Sequence, residues 1–122
     1  DINIANQDGY TPLHSACNLE NVEMVKMLLV MGAEIDKRDK QGRTALQTAL
    51  AVSHPSSELT LKRIVEILVA KGANVNVKAD RGDTPLHMAA DREYLSIAEH
   101  LIEQGADPNA VNDEGNTPLH YA

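Results

Sequence analysis

The chain has no tryptophan and no phenylalanine, and Tyr10, Tyr94 and Tyr121 are its only aromatic residues. A core without large rings must be filled by Leu, Ile, Val, Met and Ala, which calls for small, closely fitting helices. Cysteine is almost as scarce. Cys17 stands alone, so an internal disulfide is excluded and a reducing compartment is suited. No apolar run approaches the roughly 20 residues of a membrane-spanning helix; the longest covers residues 27–31, inside an amphipathic pattern. No signal-peptide pattern is visible at residue 1, which need not be the native start. No Asn-x-Ser/Thr sequon occurs, and the expected setting is cytoplasmic or nuclear. Lys and Arg number 11 against 18 Asp and Glu, for a net charge of −7. That balance argues against general nucleic-acid binding, where a basic footprint supplies most of the affinity.

What is present is ample for a fold. Hydrophobic residues make up 43% of the 122, too many for a disordered chain, and this length normally makes one domain. Charge is uneven. Residues 39–78 carry six cations and three anions, hence +3, whereas residues 79–111 carry two cations and seven anions, hence −5. Such asymmetry suits solvated helix faces, and it also suits a partner docking in a charge-set register.

One cassette returns four times: Gly9-Tyr10-Thr11-Pro12-Leu13-His14, Gly42-Arg43-Thr44-Ala45-Leu46-Gln47, Gly82-Asp83-Thr84-Pro85-Leu86-His87 and Gly115-Asn116-Thr117-Pro118-Leu119-His120. The glycines lie 33, 40 and 33 residues apart. A period in this range marks a stacked array, which offers a long surface and usually no deep cleft. Within residues 6–38, Thr11 stands where a helix N-cap belongs and Pro12 at the first helical position. Leu13, Ala16 and Cys17 share one face. A break at residues 18–21 precedes a second helix from about Val22, with Met24, Val25, Leu28 and Leu29 on its buried side and Gly32 as its C′ residue. Residues 79–111 repeat this with Leu86, Ala89 and Ala90, then Ile97, Ala98, Leu101 and Ile102, then Gly105. Residues 39–78 do so with Leu46 and Ala49, then Ile64, Val65, Ile67 and Leu68, then Gly72.

On these motifs the chain resembles the ankyrin repeat family. Thr-Pro-Leu-His occurs three times, and the Gly-Ala-Glu/Asn/Asp-x-Asp/Asn ending also three times, at Gly32 to Asp36, Gly72 to Asn76 and Gly105 to Asn109. The resemblance covers essentially the whole chain. It implies an all-α ankyrin-repeat solenoid of stacked antiparallel helix pairs joined by projecting β-hairpin-like turns. Residues 1–122 are then a single domain: 1–5 the tail of a preceding repeat, 6–38, 39–78 and 79–111 complete repeats, and 112–122 a truncated one. Both ends fall inside a repeat, so a fragment of a longer array is expected.

Departures from the pattern stand out. The middle unit is seven residues longer, with the surplus placed near 53–59, where Pro55 and the serines favour a surface loop. That unit also has Ala45 and Gln47 where the others have Pro and His, which predicts the weakest helix start. Glu20 and Glu93 occupy turn positions where the family usually has Gly, so a positive φ there would be strained by roughly 1 kcal/mol.

Catalytic chemistry finds no support. His14 and Cys17 lie three apart on one helix, but no second ligand pair lies nearby, and His87 and His120 recur in the same structural slot. No P-loop or Gly-x-Gly-x-x-Gly run occurs. No catalytic residue, cofactor or metal site is expected, and the chain is read as a non-enzyme.

Positions that the repeat grammar leaves free are the candidate contacts. Flanking the turn glycines they are Gln7, Asp8 and Tyr10; Lys40, Gln41 and Arg43; Asp80, Arg81 and Asp83; Asp113, Glu114 and Asn116. On the first helices they are the outward Ser15, Thr48, Met88 and Tyr121, then Asn18 and Leu19, Ala51 and Val52, Asp91 and Arg92. The resemblance places the matching turn tips and first-helix residues on the concave face, the usual partner surface. Tyr10, Tyr121, Arg43, Arg81 and Arg92 are the expected anchors, since Tyr and Arg dominate interface hot spots. The expected function is a protein–protein interaction module for a protein or peptide partner, monomeric, without nucleic-acid binding or membrane insertion. The alternative is a regulatory or targeting region of a larger enzyme, channel or effector. Asp36, Asn76 and Asn109 also match the position at which some ankyrin repeats are hydroxylated.

Overall fold

Each cassette starts a helix for local reasons. The computed structural model describes residues 2–52 and 55–121, the last two of these through their backbone alone. Among these residues six α-helices follow one another: α1 (Pro12–Asn18), α2 (Val22–Val30), α3 (Ala45–Leu50), α4 (Glu58–Ala70), α5 (Pro85–Asp91) and α6 (Leu95–Glu103). A 3-10 turn over Pro118–Tyr121 comes last. Thr11 holds an extended N-cap conformation, and its hydroxyl accepts from the His14 amide at 3.4 Å. His14 Nδ1 accepts from the Thr11 amide at 3.2 Å. The ring proton is therefore on Nε2, which donates to the Arg43 carbonyl of the next turn at 2.9 Å. Thr84 and His87 repeat the arrangement, with Nε2 reaching the Asn116 carbonyl at 2.8 Å. The recurring histidine thus joins a local cap to the neighbouring unit.

The middle unit solves the same problem with an amide. Gln47 Oε1 accepts from the Thr44 amide at 3.1 Å, while Nε2 donates to both Val77 O (3.0 Å) and Asp83 O (2.9 Å). Without a ring acceptor nearby, the buried Thr44 hydroxyl has no partner. α3 starts at the same place after its threonine cap as α1 and α5 and is one residue shorter at its C-terminal end.

Two layers result. α1, α3, α5 and the last turn pack side by side, as do α2, α4 and α6 behind them. Leu13, Leu46, Leu50, Leu61, Ile64, Leu68, Ile97 and Leu101 are fully buried between the layers, with Ala16, Ala45, Ala49 and Ala89 allowing close approach. Along one edge the turns bond in series: the Lys40 amide to Asp8 O, the Asp80 amide to Gln41 O and the Asp113 amide to Arg81 O, at 3.0–3.1 Å. They are hairpin-like without being strands; among the described residues there is no β-strand. Gly82 (φ 78) shows why glycine recurs here, because a Cβ would lie 2.9 Å from the Asp113 amide nitrogen.

The seven extra residues of the middle unit are shared between loop and helix. α4 has 13 residues against nine in α2 and α6. The linker covers 51–57, against 19–21 and 92–94 in the other pairs. Ser53 and His54 lie outside the described residues. Glu20 and Glu93 do adopt φ of 56° and 59°. Glu20 gains something in return: its carboxylate accepts the Ser56 amide at 2.9 Å and the Ser56 hydroxyl at 3.0 Å, across to the insertion.

Two side chains assigned to buried faces are not buried. Met24 is 41% exposed although Ile64 and Ile97, its counterparts, are wholly covered, and Ile102 is 48% exposed. Ile64 and Ile97 are sealed by the preceding pair; no described helix packs in front of α2 or behind α6.

Candidate partner interface

The expected contact residues divide by depth. Gln7, Asp8, Lys40, Gln41, Asp80, Arg81, Asp113 and Glu114 are exposed at the turn tips. Tyr10, Arg43, Asp83 and Asn116, each just after a turn glycine, are half-buried at the base of the turns. Ser15 and Met88 are half-exposed on α1 and α5, and Asn18, Leu19 and Asp91 are exposed at helix ends. Thr48 differs. It is only 2% exposed, because α3 is flanked by both α1 and α5 and every residue of it is buried. It takes no direct part in an exposed face. The Tyr121 side chain lies outside the described residues.

The structure brings part of this set together. Two adjoining cavities of about 370 and 440 Å³ share Arg43, Asp83 and Met88. Gln41, Asp80 and Arg81 extend the first towards the turn tips, and Ala51, Asp91 and Arg92 extend the second along the helices. The result is a trough between the second and third pairs. A smaller hollow of about 170 Å³ holds Asp8, Tyr10, Lys40 and Gln41. Ser15, Asn18 and Leu19 join neither.

Individual roles also separate. Tyr10 stacks on His14 with ring centroids 5.5 Å apart, so one face of its ring is spent on the cap. Arg92 is already occupied: Nη1 donates to Val52 O at 2.7 Å and Nη2 to Ala51 O at 3.3 Å. It braces the insertion from one side as Glu20 does from the other, so the half-buried Ala51 and Val52 belong to a held segment. Asp83 Oδ1 accepts from Asn112 Nδ2 at 2.8 Å. The guanidiniums of Arg43 and Arg81 meet no carboxylate or carbonyl among the described residues.

Three trough residues were not anticipated: Leu50, His87 and Ala79. His87 was read as a structural slot and Leu50 was not singled out; both are buried. Ala79 had a visible signal. Its slot at the start of each turn holds Asn6, Asp39 and Asn112 in the other three turns, where the side-chain oxygen accepts two turn amides at 2.9–3.0 Å. Alanine cannot supply that oxygen.

Cys17 and His14 are structural. Burial raises the Cys17 thiol from its ordinary 9.0 to about 12, so it is protonated and inert in the folded chain. His14 is committed to the cap described above, and among the described residues no cluster of metal-ligating side chains forms. Asp36 Oδ1 accepts from the Asn74 amide at 3.0 Å, and Asn76 bridges to the amide of Asp107 and the carbonyl of Gly105. The Asn109 amide turns back to Asp107 Oδ1 at 2.9 Å.

Paired helices stacked in two layers, with bonded turns along one edge, define a helical repeat solenoid. The family profile described as ankyrin repeats (3 copies) matches residues 1–78 and 51–122, and the chain belongs to the ankyrin repeat family. It is 32% identical over 100 residues to a putative ankyrin repeat protein of Acanthamoeba polyphaga mimivirus, covering 79% of this chain and 13% of that protein. It is 37% identical over 98 residues to the B-cell lymphoma 3 protein homolog of Mus musculus, covering 80% and 20%. To the E3 ubiquitin-protein ligase KEG of Arabidopsis thaliana it is 38% identical over 85 residues, covering 70% and 5%. The chain therefore spans a fifth or less of the length of these relatives. Ankyrin repeats are generally non-catalytic modules of protein–protein interaction.

Proposed function

We propose that this chain captures a protein or peptide partner on the face formed by its turn tips and first helices. The observation carrying this is the trough at Arg43, Asp83 and Met88, which runs from the turn tips along the first helices on a hydrogen-bonded frame. Such a frame binds with little ordering cost. Replacing Tyr10, Arg43 and Arg81 together by alanine should abolish partner capture, assayed by affinity isolation and mass spectrometry, while helical circular dichroism stays unchanged. Capture that survives the triple change would place the surface elsewhere.

A second reading concerns context. The relatives are several times longer than the matched region, and one is named as a ubiquitin ligase. The chain would then serve as the targeting or regulatory region of a larger protein whose activity resides in other segments. Sequencing of the complete transcript decides it: a reading frame that ends in ankyrin repeats on both sides would remove this alternative.

A further inference from the structure

The third turn lacks a part that the other three possess. In the turns begun by Asn6, Asp39 and Asn112, one side-chain oxygen accepts the amides two and four residues on. The third turn has the same backbone, with Ala79 N–H to Asp83 O at 3.0 Å, Gly82 N–H to Ala79 O at 2.8 Å and Gly82 at φ 78. Ala79 offers no acceptor, and among the described residues the amides of Arg81 and Asp83 donate to nothing. Both residues line the 370 Å³ cavity, as does Arg43, whose guanidinium, like that of Arg81, is unpaired among the described residues. Of the two carboxylates there, Asp83 accepts from Asn112 through Oδ1, and Asp80 lies over Gly42. The cavity thus has open donors, two amides and two guanidiniums, beside these two carboxylates.

We infer that a partner carboxylate fills this place: an Asp or Glu on an extended, acidic segment of a protein partner supplies the oxygen that Ala79 lacks, accepting from the Arg81 and Asp83 amides and from the Arg43 guanidinium. The adjacent Met88, a flexible thioether at the junction of the two cavities, takes an apolar side chain next to that carboxylate. Charge-assisted bonds to oriented amides and a guanidinium favour a carboxylate over a neutral amide. The inference rests on the reading of this face as a partner surface and gives that surface its chemistry.

The test uses capped nine-residue peptides with a central Glu-Leu pair, and the same peptides with Gln or Lys in place of Glu. Each is titrated to about 5 mM into labelled protein and followed by amide chemical shifts, enough to see a Kd near 1 mM. The Glu peptide should shift the Arg81 and Asp83 amides. Ala79→Asn, which restores the internal oxygen, should raise Tm by about 4 °C and weaken the Glu peptide tenfold or more. Arg43→Gln, at a side chain with no internal bond, should weaken it about fivefold, and Lys26→Gln on the outer layer should not change it. A Tm gain without loss of affinity, an equally good Gln or Lys peptide, or amides that no peptide moves would each overturn the inference. Loss of capture in the alanine triple variant, under any of those outcomes, would still uphold the surface itself.

Discussion

The second and third helical pairs start from the same grammar and are held by different means. The third begins with Pro85 at its first position and a histidine that closes the cap, so its start is secured within four residues. The second has neither, leaves a buried threonine hydroxyl unpaired, and carries an insertion, yet all six residues of α3 are buried. α3 is enclosed by α1, α4 and α5, so packing supplies what local chemistry does not. In a stacked array the most enclosed unit can tolerate the poorest local signals, because its stability is shared with both neighbours.

The most damaging way to break that enclosure is a cavity. Leu50 occupies the slot that Cys17 and Ala90 fill elsewhere and is completely buried. Leu50→Ala should cost about 3 kcal/mol in urea unfolding; a loss under about 1 kcal/mol would show that the middle pair does not depend on its larger core residue. Gln47 comes next. Gln47→Ala removes three hydrogen bonds and strands two carbonyls and an amide, for about 2 kcal/mol. Gln47→His should recover most of this, since a ring in that slot can cap Thr44 and reach one carbonyl; equal losses for both variants would refute the role given to the amide.

The two positive-φ glutamates sharpen the comparison. Glu93→Gly relieves the backbone and should stabilise the chain by roughly 1 kcal/mol. Glu20→Gly relieves the same strain but releases Ser56, so its net effect should fall near zero, and indistinguishable thermal shifts for the two would dismiss the Glu20 hook. A modest gain is expected at Thr48, whose hydroxyl is buried without a partner. Thr48→Val should stabilise by about 0.5–1 kcal/mol, and a destabilised variant would reveal a bond partner that the present geometry does not show.

Much of the helix order was legible because the signals are local. Thr11 and Thr84 cap as their sequence neighbours require, Gly32, Gly72 and Gly105 follow the helix ends, and the histidines bond where a structural slot would put them. Misjudged positions were those whose environment comes from another unit. Met24 and Ile97 read alike, but only Ile97 has a helix in front of it. Thr48 and Ser15 read alike, but only Thr48 lies between two first helices. Arg92 reads as a free anchor until the carbonyls of Ala51 and Val52, 40 residues earlier, are placed beside it.

By itself, the order of residues settled the period, the family and the helix starts, since caps, prolines and glycines act over three or four neighbours. Which of the outward slots remain open to a partner was decided only by stacking. Burial and pairing on this scaffold depend on residues 29 to 41 positions away, and no short-range rule reports them.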